Sequence, residues 1–173
     1  VGSEMCIRDR VMAIDVSRSM LAEDVKPNRI KAAQAAVKDF IGELPKDIRV
    51  GIVTFAGTAQ LVQSVTESRT DLIEAVDRFQ LQRGTATGSG LLLALATLMP
   101  DAGINLESSI YGENFGRKDA AATLEKKPAP QNFQPVPPGS YTAGAIVLLS
   151  DGRRTTGLEP LEVARKVAQR GVK

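Results

Sequence analysis

The chain has 173 residues, with 22 Lys+Arg against 20 Asp+Glu, a single Cys and no His or Trp. That length suits one domain able to bury about 70% of its unfolded surface. The composition excludes a Ser-His-Asp triad, a His-ligated zinc site and a Cys cluster, and a net charge of +2 leaves no strongly basic face for nucleic acid. A metal, if bound, must be held by oxygen.

The first ten residues, VGSEMCIRDR, are mixed in charge, lack the apolar core of a signal peptide and change character at Val11. They read as a non-native leader, and Cys6 goes with them. VMAIDV (Val11 to Val16) is a continuous apolar run ending in Asp, the pattern of a strand buried on both faces. Pro27-Asn28 opens a helix with Ile30, Ala33, Val37, Ile41 and Leu44 on one stripe, stopped by Pro45. IRVGIVTFAG (Ile48 to Gly57) is a second strand and Gln60 to Val65 a short third. Leu72, Val76 and Phe79 mark a second helix. Leu91 to Met99 is apolar nearly all round, which predicts a helix buried against a sheet, its leucines in the core. GAIVLLSDG (Gly144 to Gly152) repeats the design of the first strand, and Pro160 to Arg170 is a last helix with Gly171 as its C-cap.

Between about 101 and 142 this alternation fails. Five of the nine prolines fall between Pro128 and Pro138, so the segment reads as a Pro-rich insertion. Pro135 and Pro138 have PxxP spacing, which solvated linkers also show. The uncharged stretch Gly84 to Pro100 falls short of the ~20 apolar residues of a membrane span.

Strand and helix alternation with doubly buried strands predicts an α/β fold: a doubly wound, mostly parallel, Rossmann-like sheet with helices on both faces. Ligands of such sheets bind beyond the carboxyl ends of the strands. Three hydroxyl- and carboxylate-bearing loops fall there: Asp15-Val16-Ser17-Arg18-Ser19, Gly84-Thr85-Ala86-Thr87-Gly88 and Ser150-Asp151-Gly152. Taken singly, Asp15 reads as a cap, Ser17 and Ser19 as turn formers, and the glycines as helix-start punctuation. Taken together they make an all-oxygen donor set suited to Mg²⁺ or Mn²⁺. Arg18, Arg153 and Arg154 lie beside it, as a solvated rim or as charges that steer an acidic ligand.

The same loops carry a resemblance. DVSRS resembles the DxSxS motif of von Willebrand factor A (VWA) domains, GTATG their threonine loop and LLSDG their second acidic loop. The resemblance implies a metal-ion-dependent adhesion site on a sheet of order 3-2-1-4-5-6 with strand 3 antiparallel. Ser17, Ser19 and Thr85 would touch the ion through hydroxyls, and Asp15 and Asp151 would hold it mainly through water. Choosing Thr85 over Thr87 follows the family's GT position. A partner's acidic side chain would fill the last place. Residues 11–173 then form an incomplete VWA-like domain, a fragment lacking strands 5 and 6, with the strand at Ile146 left as an apolar edge.

VMAIDVSRSML, FAGTAQLV and LLSDGRRTTG look most like the bacterial membrane-anchored proteins of the aerotolerance operon (BatA-like) type. That implies a parent anchored in the bacterial inner membrane and a MoxR-type AAA ATPase among its partners. Two other functions stay open: a Mg²⁺-dependent, phosphatase-like hydrolase, and a domain whose metal is purely structural. Haloacid-dehalogenase phosphatases need a second Asp two residues after the first, where this chain has Ser17. No P-loop or glycine-rich dinucleotide turn is present, and there is no activated nucleophile, so the chain reads as a binding module and not an enzyme.

Overall fold

The computed structural model describes residues 8–104, 134–152 and 155–173. Four strands, β1 (Arg8–Asp15), β2 (Ile48–Phe55), β3 (Ala59–Thr66) and β4 (Gly144–Leu149), form one sheet of order β3-β2-β1-β4. β1 pairs in parallel with β2 and with β4, and β3 runs antiparallel to β2. The α/β class, the order and the single antiparallel strand agree with the expectation drawn from the sequence.

Side-chain alternation along a strand explains why β1 and β2 are apolar throughout. Val11, Ala13, Val53 and Phe55 point to one face, where α3 (Thr87–Leu98) and α4 (Pro160–Gln169) supply Leu91, Leu92, Leu95, Leu98, Val163 and Val167. Met12, Ile14, Val50 and Ile52 point to the other, against Val37 and Ile41 of α1 (Arg29–Glu43) and Leu72, Ala75 and Val76 of α2 (Arg69–Asp77). Each central strand therefore serves two cores, and any polar residue in its interior would sit in one of them.

Local chemistry sets the ends. The Asn28 side chain accepts from the Lys31 amide and caps α1, and the Ser68 side chain accepts from the Asp71 amide and caps α2. α4 closes in a Schellman motif: Gly171, at φ +76°, donates to the Ala168 carbonyl, and Val172 donates to that of Val167. The chain then turns to β4, where the Ile146 amide donates to the Lys173 carbonyl at 2.9 Å. β4 is an edge among the described strands, and Leu148 on it is exposed.

Several boundaries differ from the sequence expectation. β1 begins at Arg8 and not Val11, because Asp9 receives two hydrogen bonds from Arg49 of β2, both 2.8 Å, and its amide donates to the Ala143 carbonyl. Residues 8–10 of the expected leader thus belong to the sheet, while Val1 to Ile7, Cys6 included, lie outside the described residues. α2 ends at Asp77, so Phe79 lies beyond it and packs from the following loop. β4 ends at Leu149, so Ser150 and Asp151 lie in the loop beyond it, where the third motif loop is expected. Most of the Pro-rich insertion lies outside the described residues. Its end does not: Val136 donates to the Gln169 carbonyl and Tyr141 to that of Gly171, tying residues 134–142 to the end of α4.

The close approach of α3 to β2 requires Gly90, where an added Cβ would lie 2.5 Å from the Phe55 ring. Gly90→Ala is expected to lower stability by about 1–3 kcal/mol through overpacking. Gly42→Ala, near the end of α1 with open space around it, should be neutral or stabilising by up to about 1 kcal/mol. Urea unfolding midpoints compare the two, and equal midpoints would contradict this packing. Gly171→Ala should cost more than about 1 kcal/mol in the same assay, since its positive φ coincides with a Cβ position 2.4 Å from Ser140 Oγ.

Candidate functional site

β1 is flanked by β2 on one side and β4 on the other, so the chain reverses its winding direction between β1 and β4. The crevice of a doubly wound sheet opens at that switch point. All three loops singled out in the sequence meet there, around a cleft of about 520 Å³ lined by Ser17, Arg18, Ser19, Arg29, Arg83, Gly84, Thr85, Asp151 and Thr155.

Asp15, the last residue of β1, is fully buried. Its Oδ1 accepts from the Ser17 amide at 2.8 Å and its Oδ2 from Ser150 Oγ at 2.8 Å. It does not line the cleft; it holds the first and third loops from behind. Ser17 is buried as well, and its Oγ lies 2.8 Å from Ser19 Oγ, so the two hydroxyls meet as a pair at the cleft. The second loop is pinned from two sides. The Ala86 amide donates to the Ala56 carbonyl at 2.6 Å, and the Thr85 amide donates to Thr155 Oγ1 at 2.8 Å. Thr155 and Thr156 return the contact by donating to the Thr85 carbonyl. Thr85 thereby lines the cleft. Thr87 is buried in the first turn of α3 and is not among the lining residues, which separates two threonines that the motif alone leaves level.

Asp151 lines the cleft and pairs with Arg29, whose Nη1 lies 3.1 Å from Oδ2. Arg29 is gripped by Asp24 through two bonds of 2.8 and 2.7 Å. The hydrogen bonds from Arg29 hold the Asp24 carboxyl below its ordinary value, and Asp24 in turn raises the Arg29 guanidinium. Sequence reading missed Arg29. The signal was its position: a cation in the first helical turn opposes the macrodipole, so it needs another reason to be there. Arg83 and Thr155 were missed too: Arg83 falls just before the GTATG loop, and Thr155, inside LLSDGRRTTG, was given no role of its own. Arg153 and Arg154 lie outside the described residues.

The donor set fits a small hard cation. Ser17, Ser19 and Thr85 offer hydroxyls, Asp151 a carboxylate, and Asp15 has both oxygens committed, which suits an indirect role. Among the described residues no three His, Cys, Asp or Glu side chains cluster to hold a metal, so the hydroxyls are indispensable to any site here.

Residues 11–111 match the family model of the von Willebrand factor type A domain. A UPF0353 protein of Mycolicibacterium vanbaalenii is 46% identical over 150 residues, which is 87% of this chain and 36% of that protein. Another, from Nocardia farcinica, is 47% identical over 88 residues, 51% of this chain and 26% of that protein. The chain thus spans about a third or less of the length of these curated relatives. Among solved structures, BatB from Bacteroides thetaiotaomicron shares the fold, with TM-score 0.65 and 23% identity over 96% of this chain and 63% of that one. An aerotolerance-related membrane protein from Bacteroides fragilis has TM-score 0.51 and 27% identity, covering 57% of this chain and 50% of that one. The chain belongs to the von Willebrand factor type A domain family and within it is similar to the BatB and aerotolerance-related proteins.

Proposed function

We propose that the domain is a cation-dependent protein-binding module. VWA domains generally mediate protein interactions. In this reading Ser17, Ser19 and Thr85 bind Mg²⁺ or Mn²⁺ directly, Asp15 and Asp151 hold it through water, and an acidic side chain of a partner completes the coordination. The observation that carries it is the convergence of three oxygen-bearing loops on one cleft, with the Ser17 and Ser19 hydroxyls paired and the buried Asp15 fixing two of the loops. A divalent ion held mostly by neutral hydroxyls keeps enough charge to attract a further carboxylate.

Catalysis is the weaker reading. The residue two after Asp15 is Ser17, which cannot protonate a leaving group as a second Asp would, and the chain has no His to act as base. A purely structural ion is also the weaker reading, because the hydroxyl pair faces a cleft and not the core. For the parent protein we propose a membrane anchor, supported by the description of the B. fragilis relative as a membrane protein. Among the described residues no helix is long and apolar enough to cross a membrane. A MoxR-type ATPase partner rests on the family resemblance alone.

Calorimetric titration of Mg²⁺ is expected to give saturable binding to the wild-type chain, weakened about 10- to 100-fold in Asp15→Ala, as for residues that orient metal ligands. Equal binding by both proteins would refute the site. Mg²⁺ should also raise the wild-type melting temperature in a concentration-dependent way, and should leave that of a Ser17→Ala/Thr85→Ala double variant unmoved. With p-nitrophenyl phosphate and Mg²⁺ no turnover is expected; turnover abolished in Asp15→Asn would restore the hydrolase.

A further inference from the structure

The cleft holds two arginines for which the site just described has no use. A parallel backbone bridge joins Ser17 to Gln82, with the Gln82 amide donating to the Val16 carbonyl at 2.9 Å. One residue beyond that bridge on each segment come Arg18, which opens a short 3-10 helix, and Arg83. The bridge therefore sets two guanidinium-bearing residues side by side, and both line the same cleft as Ser17, Ser19 and Thr85. Among the described residues neither has an ion-pair partner, and both are exposed. Like charges held close together repel, and ordinary surfaces avoid them or pair them. Arg29, also in the cleft, is different: Asp24 and Asp151 already occupy it.

The charges at the cleft make the same point. Among the described residues, Arg29 is already taken by Asp24 and Asp151, and both oxygens of Asp15 by Ser17 and Ser150. Arg18 and Arg83 are therefore left without an acidic partner among those residues, and a carboxylate spent on the ion would not supply one.

We propose that the cleft recognises a protein segment carrying two acidic side chains, a preference that rests on the cation-binding reading above: one carboxylate completes the metal coordination and the second lies against the Arg18–Arg83 pair. Two arginines presented by two loops offer forked donors to a planar carboxylate, which suits this second place better than a diffuse positive rim would. A single phosphate would also supply two charges, spread over the oxygens of one group, and is the rival ligand that the test includes.

The probes are capped peptides of equal length, Gly-Gly-Asp-Gly-Gly and Gly-Asp-Gly-Asp-Gly, titrated into the full chain with saturating Mg²⁺ and followed by NMR shifts. The two-acid peptide is expected to bind about fivefold more tightly than the one-acid peptide, after allowing twofold for its two equivalent carboxylates. Arg18→Gln/Arg83→Gln should erase that difference and keep binding of the one-acid peptide and of Mg²⁺; both substituted residues are exposed, and the thermal melt of the variant checks its fold. Equal binding of both peptides to the wild type overturns the second carboxylate place while leaving the cation site standing. A preference that persists in the double variant overturns the role of the two arginines. Tighter binding of Gly-Gly-phosphoSer-Gly-Gly than of the two-acid peptide overturns the paired-carboxylate assignment in favour of phosphate. Absence of Mg²⁺-dependent binding by either peptide removes the cation reading and this one with it.

Discussion

The buried carboxylate of Asp15 is the constraint around which the top of the sheet is organised. A fully buried charge is costly unless its oxygens are matched by donors or by a nearby cation. Here one oxygen takes the Ser17 amide and the other takes the Ser150 hydroxyl, from a segment 135 residues away in sequence. The first of these bonds folds the loop after β1 back on itself and brings Ser17 and Ser19 together. The second ties the loop after β4 to the same point. Two loops are thereby positioned by one side chain, which does not itself line the cleft.

That arrangement depends on the sheet order. β1 and β4 are neighbours because the chain changes winding direction between them, and only neighbouring parallel strands bring their carboxyl ends close enough for a single Asp to bridge. The second loop is joined differently. Its Thr85 is bonded to Thr155 and the neighbouring Ala86 amide to the Ala56 carbonyl, so the loop follows the end of β2 as much as its own helix. The small residues of α3 allow that helix to approach β2 at all. Packing of the apolar core and geometry of the polar cleft are consequently not separable: a shift of α3 away from Phe55 would carry Thr85 away from Ser17.

The doubly buried strands and the helix stripes were legible because each is a local pattern with its own period. The cleft residues within motifs were legible for the same reason, as short spacings that recur together. What could not be read depends on partners distant in sequence. Arg8 to Arg10 look like a charged leader until Arg49 is placed beside Asp9, 40 residues on. Phe79 has helical spacing from Val76, yet α2 stops at Asp77 and the ring packs from a loop. Thr85 is preferred over Thr87 in the sequence only through the family's GT position, and its bonds to Thr155 are what place it at the cleft. Arg29 announces itself weakly, as a cation where a helix start disfavours one, and its meaning appears once Asp24 and Asp151 are seen on either side.

Arg29 also bears on how a cation site could exist without unfolding when the cation leaves. On the cation-binding proposal, loss of the ion would leave Asp151 at the cleft without that counter-charge. The guanidinium 3.1 Å from Asp151 supplies one from within the protein, and Asp24 holds it through a bond pair on its other edge. A partner would meet a cleft whose hydroxyls and backbone are already set, so that binding energy need not be spent on ordering the site.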